Sequence, residues 1–88
     1  MAKHIILDCT AMVDENSVHD AFAQGLEFPA SYGRNLDALY DLLSSCELTL
    51  TLTNAAVLNK LFRYGDNLRL ALEDAARDNP NFTLMFED

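Results

Sequence analysis

Two carboxylates four residues apart, Asp37 and Asp41, with Ser44 three residues further on, lie in a segment whose leucines recur at helical spacing. At about 100° per residue these three side chains share one arc of the helix, beside the stripe of Leu36, Leu39 and Leu43. Ionised carboxylates one turn apart offer acceptors that guanidinium and ammonium groups take up with charge assistance, as they take up phosphates. Like charges at this spacing cost an isolated helix roughly 0.2–0.5 kcal/mol. Asp37, in the first turn, regains part of that from the helix dipole, whereas Asp41 lies beyond its reach. A cation supplied from outside would complete the pattern, although a solvated acidic face has the same spacing. A two-carboxylate hydrolase needs an enclosing cleft that raises one pKa, and an exposed helix face in a small domain supplies none. His4 and His19 stand alone and read as surface or strand residues, and no His/Cys/Asp/Glu set has metal-ligand spacing. Neither a metal nor a cofactor is expected, and the chain reads as a binding protein rather than an enzyme.

The elements that position this face follow from periodicity. His4 to Asp8 is a short apolar run suited to the central strand of a parallel sheet. Asn16 and Ser17 open a helix from about Ser17 to Leu26, with Asp20 as the acidic half of a capping box. Pro29 and Gly33 punctuate a loop, 27–34, that carries Tyr32. Asn35 caps a second helix over 36–44. Leu48 to Thr53 alternates leucine with threonine, a period of two that marks a strand with one wetter face, expected at a sheet edge. Asn54 caps a third helical stretch ending near Gly65, and Asn67 opens a fourth that Asn79-Pro80-Asn81 stops. Phe82 to Phe86 is the last strand. The order β-α-α-β-α-α-β predicts an α/β fold, a three-stranded parallel sheet packed with four helices, in a single domain over residues 1–88.

Composition narrows the classes of partner. Fourteen acidic residues against six basic ones give a formal charge of −8 across 88 residues, which repels a nucleic-acid backbone and favours a basic protein. Half the residues are hydrophobic and 23% are charged, so the chain can build a packed core. The apolar run Ile5 to Leu7 is too short for a secretory signal, and no stretch is long enough to span a bilayer. A cytoplasmic protein without membrane contact, monomeric when free, is expected. Cys9 and Cys46 form no CxxC motif; free thiols fit a reducing compartment, and the spacing leaves a bridge between them open. An acidic carrier protein is excluded by the missing Asp-Ser-Leu attachment site and by the Leu/Thr strand.

The run Phe28-Pro29-Ala30-Ser31-Tyr32-Gly33-Arg34-Asn35-Leu36-Asp37-Ala38-Leu39-Tyr40-Asp41-Leu42-Leu43 resembles the signature of the barstar family, intracellular inhibitors of secreted ribonucleases of the barnase type. A proline followed by Tyr-Gly-x-Asn-Leu-Asp-Ala-Leu, an aromatic residue and Asp is shared without a gap. The likeness continues more faintly along the chain, in a first helix with a histidine like His19 and a last helix leading to a C-terminal strand. The resemblance implies that loop and second helix plug a basic ribonuclease's active site, with Asp41 as the central acidic anchor and Asp37 as its neighbour. It implies a partner surface of Tyr32, Gly33, Asn35, Asp37, Ala38, Tyr40, Asp41, Ser44 and Asp74. Ser31 stands where the family often has a second aromatic residue and Tyr40 where tryptophan is familiar, and both reduce apolar contact area. Arg34 places a positive charge in this surface, there either to oppose a basic enzyme or to pair with Asp37 or Asp41. The competing expectation is a regulatory or adaptor module of the same fold with a different basic partner.

Overall fold

The alternation of leucine and threonine over 48–53 becomes the middle of the sheet. In the computed structural model, which describes residues 3–88, β1 (Lys3–Asp8), β2 (Leu48–Thr53) and β3 (Phe82–Phe86) pair in parallel in the order β1-β2-β3. Ile5, Leu50 and Leu84 align across it, as do Ile6, Thr51 and Met85. The helices are α1 (Glu15–Leu26), α2 (Leu36–Leu43), a 3-10 helix (Ala55–Leu61) and α3 (Arg63–Asp78), with a further 3-10 turn at Cys9–Ala11. The three parallel strands and four helices agree with the sequence expectation.

Two strand positions are corrected. β1 lies at an edge and β2 at the centre, the reverse of expectation. The strands step in one direction, β1 to β2 to β3, and the right-handed crossover rule for parallel strands then puts both helical connections on the same face of the sheet. Ile5, Leu7, Leu50, Leu52, Leu84 and Phe86 accordingly join the core with Phe22, Leu39, Leu43, Leu68 and Leu72. The opposite face is open to water, with Ile6 61% and Met85 49% exposed. Parallel sheets are usually covered on both faces, and a central strand then reads as continuously apolar. A one-sided sheet lets its central strand alternate instead, which is why β2 resembled an edge. Thr51 is buried on the open side by its neighbours in the sheet and hydrogen-bonds His4.

Helix starts also differ. Asp14, not Asn16 or Ser17, caps α1: its carboxylate accepts the Ser17 N–H at 2.8 Å while the Ser17 hydroxyl oxygen accepts the Asp14 N–H at 3.0 Å. This reciprocal box begins the helix at Glu15. Asn54 adopts φ 55° and sends its amide to Asp8 rather than capping the next segment, which winds as 3-10. Gly65 does not end a helix but sits inside the first turn of α3, where an added Cβ would come within 2.1 Å of the Leu58 carbonyl oxygen. The glycine permits that close approach.

Candidate partner-binding surface

α2 is placed by contacts at both ends. At its N-terminus the Asn35 side chain accepts the Ala38 N–H at 2.7 Å, as the sequence predicts. Leu39 and Leu43 are buried, so the arc of Asp37 and Asp41 faces outward. At the C-terminal end the buried Asn79 amide donates to the Leu43 carbonyl at 2.9 Å and the Cys46 carbonyl at 2.7 Å. The Tyr40 hydroxyl donates to Asp78 on α3. This bond raises the Tyr40 pKa and holds the Asp78 carboxyl below its ordinary value. In sequence Asn79 signalled only a helix stop; its clasp on α2 depends on a tertiary contact no local pattern contains.

The predicted residues gather into two shallow hollows flanking α2. Asp37 and Tyr40 join Asp74, Asn67, Leu70, Ala71 and Leu36 between α2 and α3. Tyr32, Gly33, Ala38 and Asp41 join Pro29, Ser31 and Leu42 on the loop side. Asn35 and Ser44 line neither: Asn35 caps α2, and the Ser44 hydroxyl donates back to the Asp41 carbonyl. Leu70 is 57% exposed in the first hollow. It lies off the buried Leu68, Leu72, Ala75 stripe of α3, and that offset in helical spacing is the sequence signal of its exposure.

The loop differs from expectation at two side chains. Arg34, at φ 55°, turns from α2 to α1, donating to Asp20 at 2.7 Å and to the Asn16 side chain at 2.6 Å. It pairs with neither Asp37 nor Asp41. Tyr32 is only 8% exposed, its ring against Phe28 at 4.8 Å between centroids and its hydroxyl 2.6 Å from His19 Nδ1. Burial pushes its pKa up to about 12. Its ring therefore supports the loop from beneath, and Gly33 and Asn35 form the accessible stretch beside it. His19 is also not a surface residue: it is buried, with Nε2 2.6 Å from the Tyr64 hydroxyl.

Charge is distributed unevenly around this surface. Lys3 meets Glu27, and Arg77 meets Asp74 and Asp78. Among the described residues the Asp37 and Asp41 side chains have no hydrogen bond or ion pair, and both are exposed. The Barstar family model, described as barstar (barnase inhibitor), matches residues 2–87. The chain belongs to the barstar family. A Bacillus subtilis (strain 168) protein named "Putative ribonuclease inhibitor YrdF" is 35% identical over 80 residues, 86% of this chain and 88% of that protein.

In this barstar-family chain both cysteines are free, and Cys46 is half-buried. Burial raises the Cys46 thiol and pushes Cys9 up to about 11, so both are held as thiols near neutrality. Among the described residues no group of three His, Cys, Asp or Glu is placed to hold a metal, and no helix is long and apolar enough to cross a membrane.

Proposed function

We propose that this protein inhibits a basic ribonuclease of the barnase type, occupying the enzyme's active site with α2 and the loop before it. The observation that carries this reading is the pair of exposed, unpartnered carboxylates at Asp37 and Asp41 in a chain whose nearby cations, Arg34 and Arg77, are held by other carboxylates. In the enzyme's phosphate sites, Arg, Lys and His side chains would bind these groups as they bind RNA. Asp41 acts as the central anchor, since it borders the hollow that holds Tyr32, Gly33 and Ala38. Asp37 and Asp74 contribute from the opposite side, with Leu70 as apolar rim. The remaining acidic residues steer the encounter and keep the free protein soluble. Family membership and the name of the B. subtilis relative support the ribonuclease as target class, and the protein itself carries out no catalysis. The protein acts in the cytoplasm as a monomer.

The test is titration of a barnase-type ribonuclease with the purified protein. RNA cleavage should cease near an equimolar ratio. Undiminished cleavage at low salt and micromolar protein would leave the fold with an adaptor role toward some other basic protein.

A further inference from the structure

His19 bridges three elements. From α1 its Nδ1 lies 2.6 Å from Tyr32 in the loop, and its Nε2 lies 2.6 Å from Tyr64 in the first turn of α3. His19 is 3% exposed, its ring tilted to that of Tyr32 at 5.7 Å between centroids and edge-on to that of Tyr64 at 6.3 Å. A neutral imidazole has one N–H and one lone pair, so one tyrosine must donate to it and the other accept. Tyr32 is buried and, among the described residues, its hydroxyl has no second partner, whereas Tyr64 is half-exposed and can pass its own proton to water. The arrangement that satisfies every polar atom has Tyr32 donating to Nδ1 and Nε2–H donating to Tyr64.

Protonation removes that arrangement. An imidazolium donates from both nitrogens, and the buried Tyr32 hydroxyl would have to turn its proton away from the imidazole, with no other acceptor bonded to it among the described residues. The charged groups facing the ring are Glu15 and Asp20 from α1 and Arg34 from the loop, with the phenols of Tyr32 and Tyr64 from loop and α3. The two carboxylates favour the cation. Burial first and Arg34 second oppose it, and the net direction lies below the ordinary histidine value.

We propose that His19 is a positioning residue for the partner-contact loop, a latch that holds Tyr32 while its imidazole is neutral and loosens the loop when it is protonated. The consequence for binding rests on the inhibitor reading above. The loop reaches α1 through two side chains, Tyr32 onto His19 and Arg34 onto Asn16 and Asp20. The Tyr32 tie is the buried one. Releasing it frees the segment that presents Gly33 and Asn35, so mild acid weakens the complex.

The experiment is an NMR titration of the free protein over about pH 5–8, the range in which histidine changes charge. The His19 ring resonance and the backbone amides of residues 31–35 should shift with one common midpoint. His4→Gln, on the open sheet face, should leave this profile intact, and His19→Gln should flatten it. Loop amides that stay still while His19 titrates would overturn the latch. In parallel, affinity for a barnase-type ribonuclease should fall several-fold more between neutral and mildly acid pH for the wild type than for His19→Gln. Equal falls would refute the coupling to binding, because the enzyme's own titrations cancel in that comparison. A coupled loop titration with no ribonuclease binding at any pH would uphold the latch and sink the inhibitor reading instead.

Discussion

Asn79→Ala should unfold the anchorage of α2 without touching its outer face. The wild-type side chain is 5% exposed and makes three hydrogen bonds: to the Leu43 carbonyl at 2.9 Å, the Cys46 carbonyl at 2.7 Å, and from the Asn81 N–H at 2.9 Å. Alanine leaves two carbonyls and one N–H to find other partners. A buried polar group left unsatisfied costs about 1–3 kcal/mol, and partial access of water at half-buried Cys46 and exposed Asn81 lowers their share, so the loss sums to about 2–4 kcal/mol. Against a total stability of about 5–15 kcal/mol for a domain of this kind, that is a large fraction. The melting temperature should fall by roughly 4–8 °C for each kcal/mol lost. Urea denaturation followed by far-ultraviolet circular dichroism suits a chain with no tryptophan. Asn79→Asp retains the acceptor for Asn81 but offers no amide N–H and points an anion at two carbonyls, so it should be at least as damaging near neutral pH. Near-native stability in either variant would refute the claim that this side chain holds α2.

At the partner surface, Asp41→Ala should weaken the ribonuclease complex far more than Glu15→Ala or Glu87→Ala, with the loss mainly in dissociation rate by surface plasmon resonance. Equal losses at all three would mean that only diffuse charge matters. Association should slow as salt rises through 0.1 M, where the screening length is about 10 Å, and stopped-flow rates independent of salt would contradict steering. Gly65→Ala should destabilise by about 1–3 kcal/mol in a urea melt, since overpacking against the Leu58 carbonyl outweighs the better helix propensity of alanine. Stability of the free protein should decline in two stages on acidification. His19, held below its ordinary 6.5, contributes stability that is complete above that value and is lost as pH falls beneath it. Asp8, Asp14 and Asp78, each held below 3.8 chiefly by hydrogen bonds, contribute stability that is lost only as pH falls below that second value. His19→Gln should remove the first stage of the urea-midpoint profile and leave the second.

What the sequence made legible was local. The caps and periods of α2, β2 and β3 are set by residues within a few positions of one another, and their bounds emerge within a residue of expectation. The strand order was not legible, because a leucine-threonine alternation reports only that one face is wetter. Whether the strand is central depends on where the crossovers lie. The start of α3 was hidden for a similar reason: Gly65 has the local character of a stop, and only the Leu58 carbonyl, brought beside it by the 3-10 helix, makes it an interior residue. At the site, Asp37, Asp41 and Asn35 stand where spacing put them. Tyr32 and Arg34 do not, since both are claimed by α1 across the fold.

That pull from α1 bears on specificity. A basic residue next to an acidic anchor would ordinarily neutralise it, and Arg34 is only three residues from Asp37. A left-handed residue other than glycine costs about 1–2 kcal/mol, yet Arg34 adopts that conformation, and in it the guanidinium reaches Asn16 and Asp20. The bonds to α1 offset the backbone cost, and the geometry aims the charge away from α2. Asp20→Ala should therefore do more than remove a surface ion pair. It leaves Arg34 free to approach Asp37 and Asp41, and inhibition should weaken although no carboxylate of the contact surface has changed. Combining it with Arg34→Gly, which tolerates the backbone and removes the cation, should restore binding toward the wild-type level. If the double variant binds no better than Asp20→Ala alone, the orientation of Arg34 has no part in keeping the acidic face open.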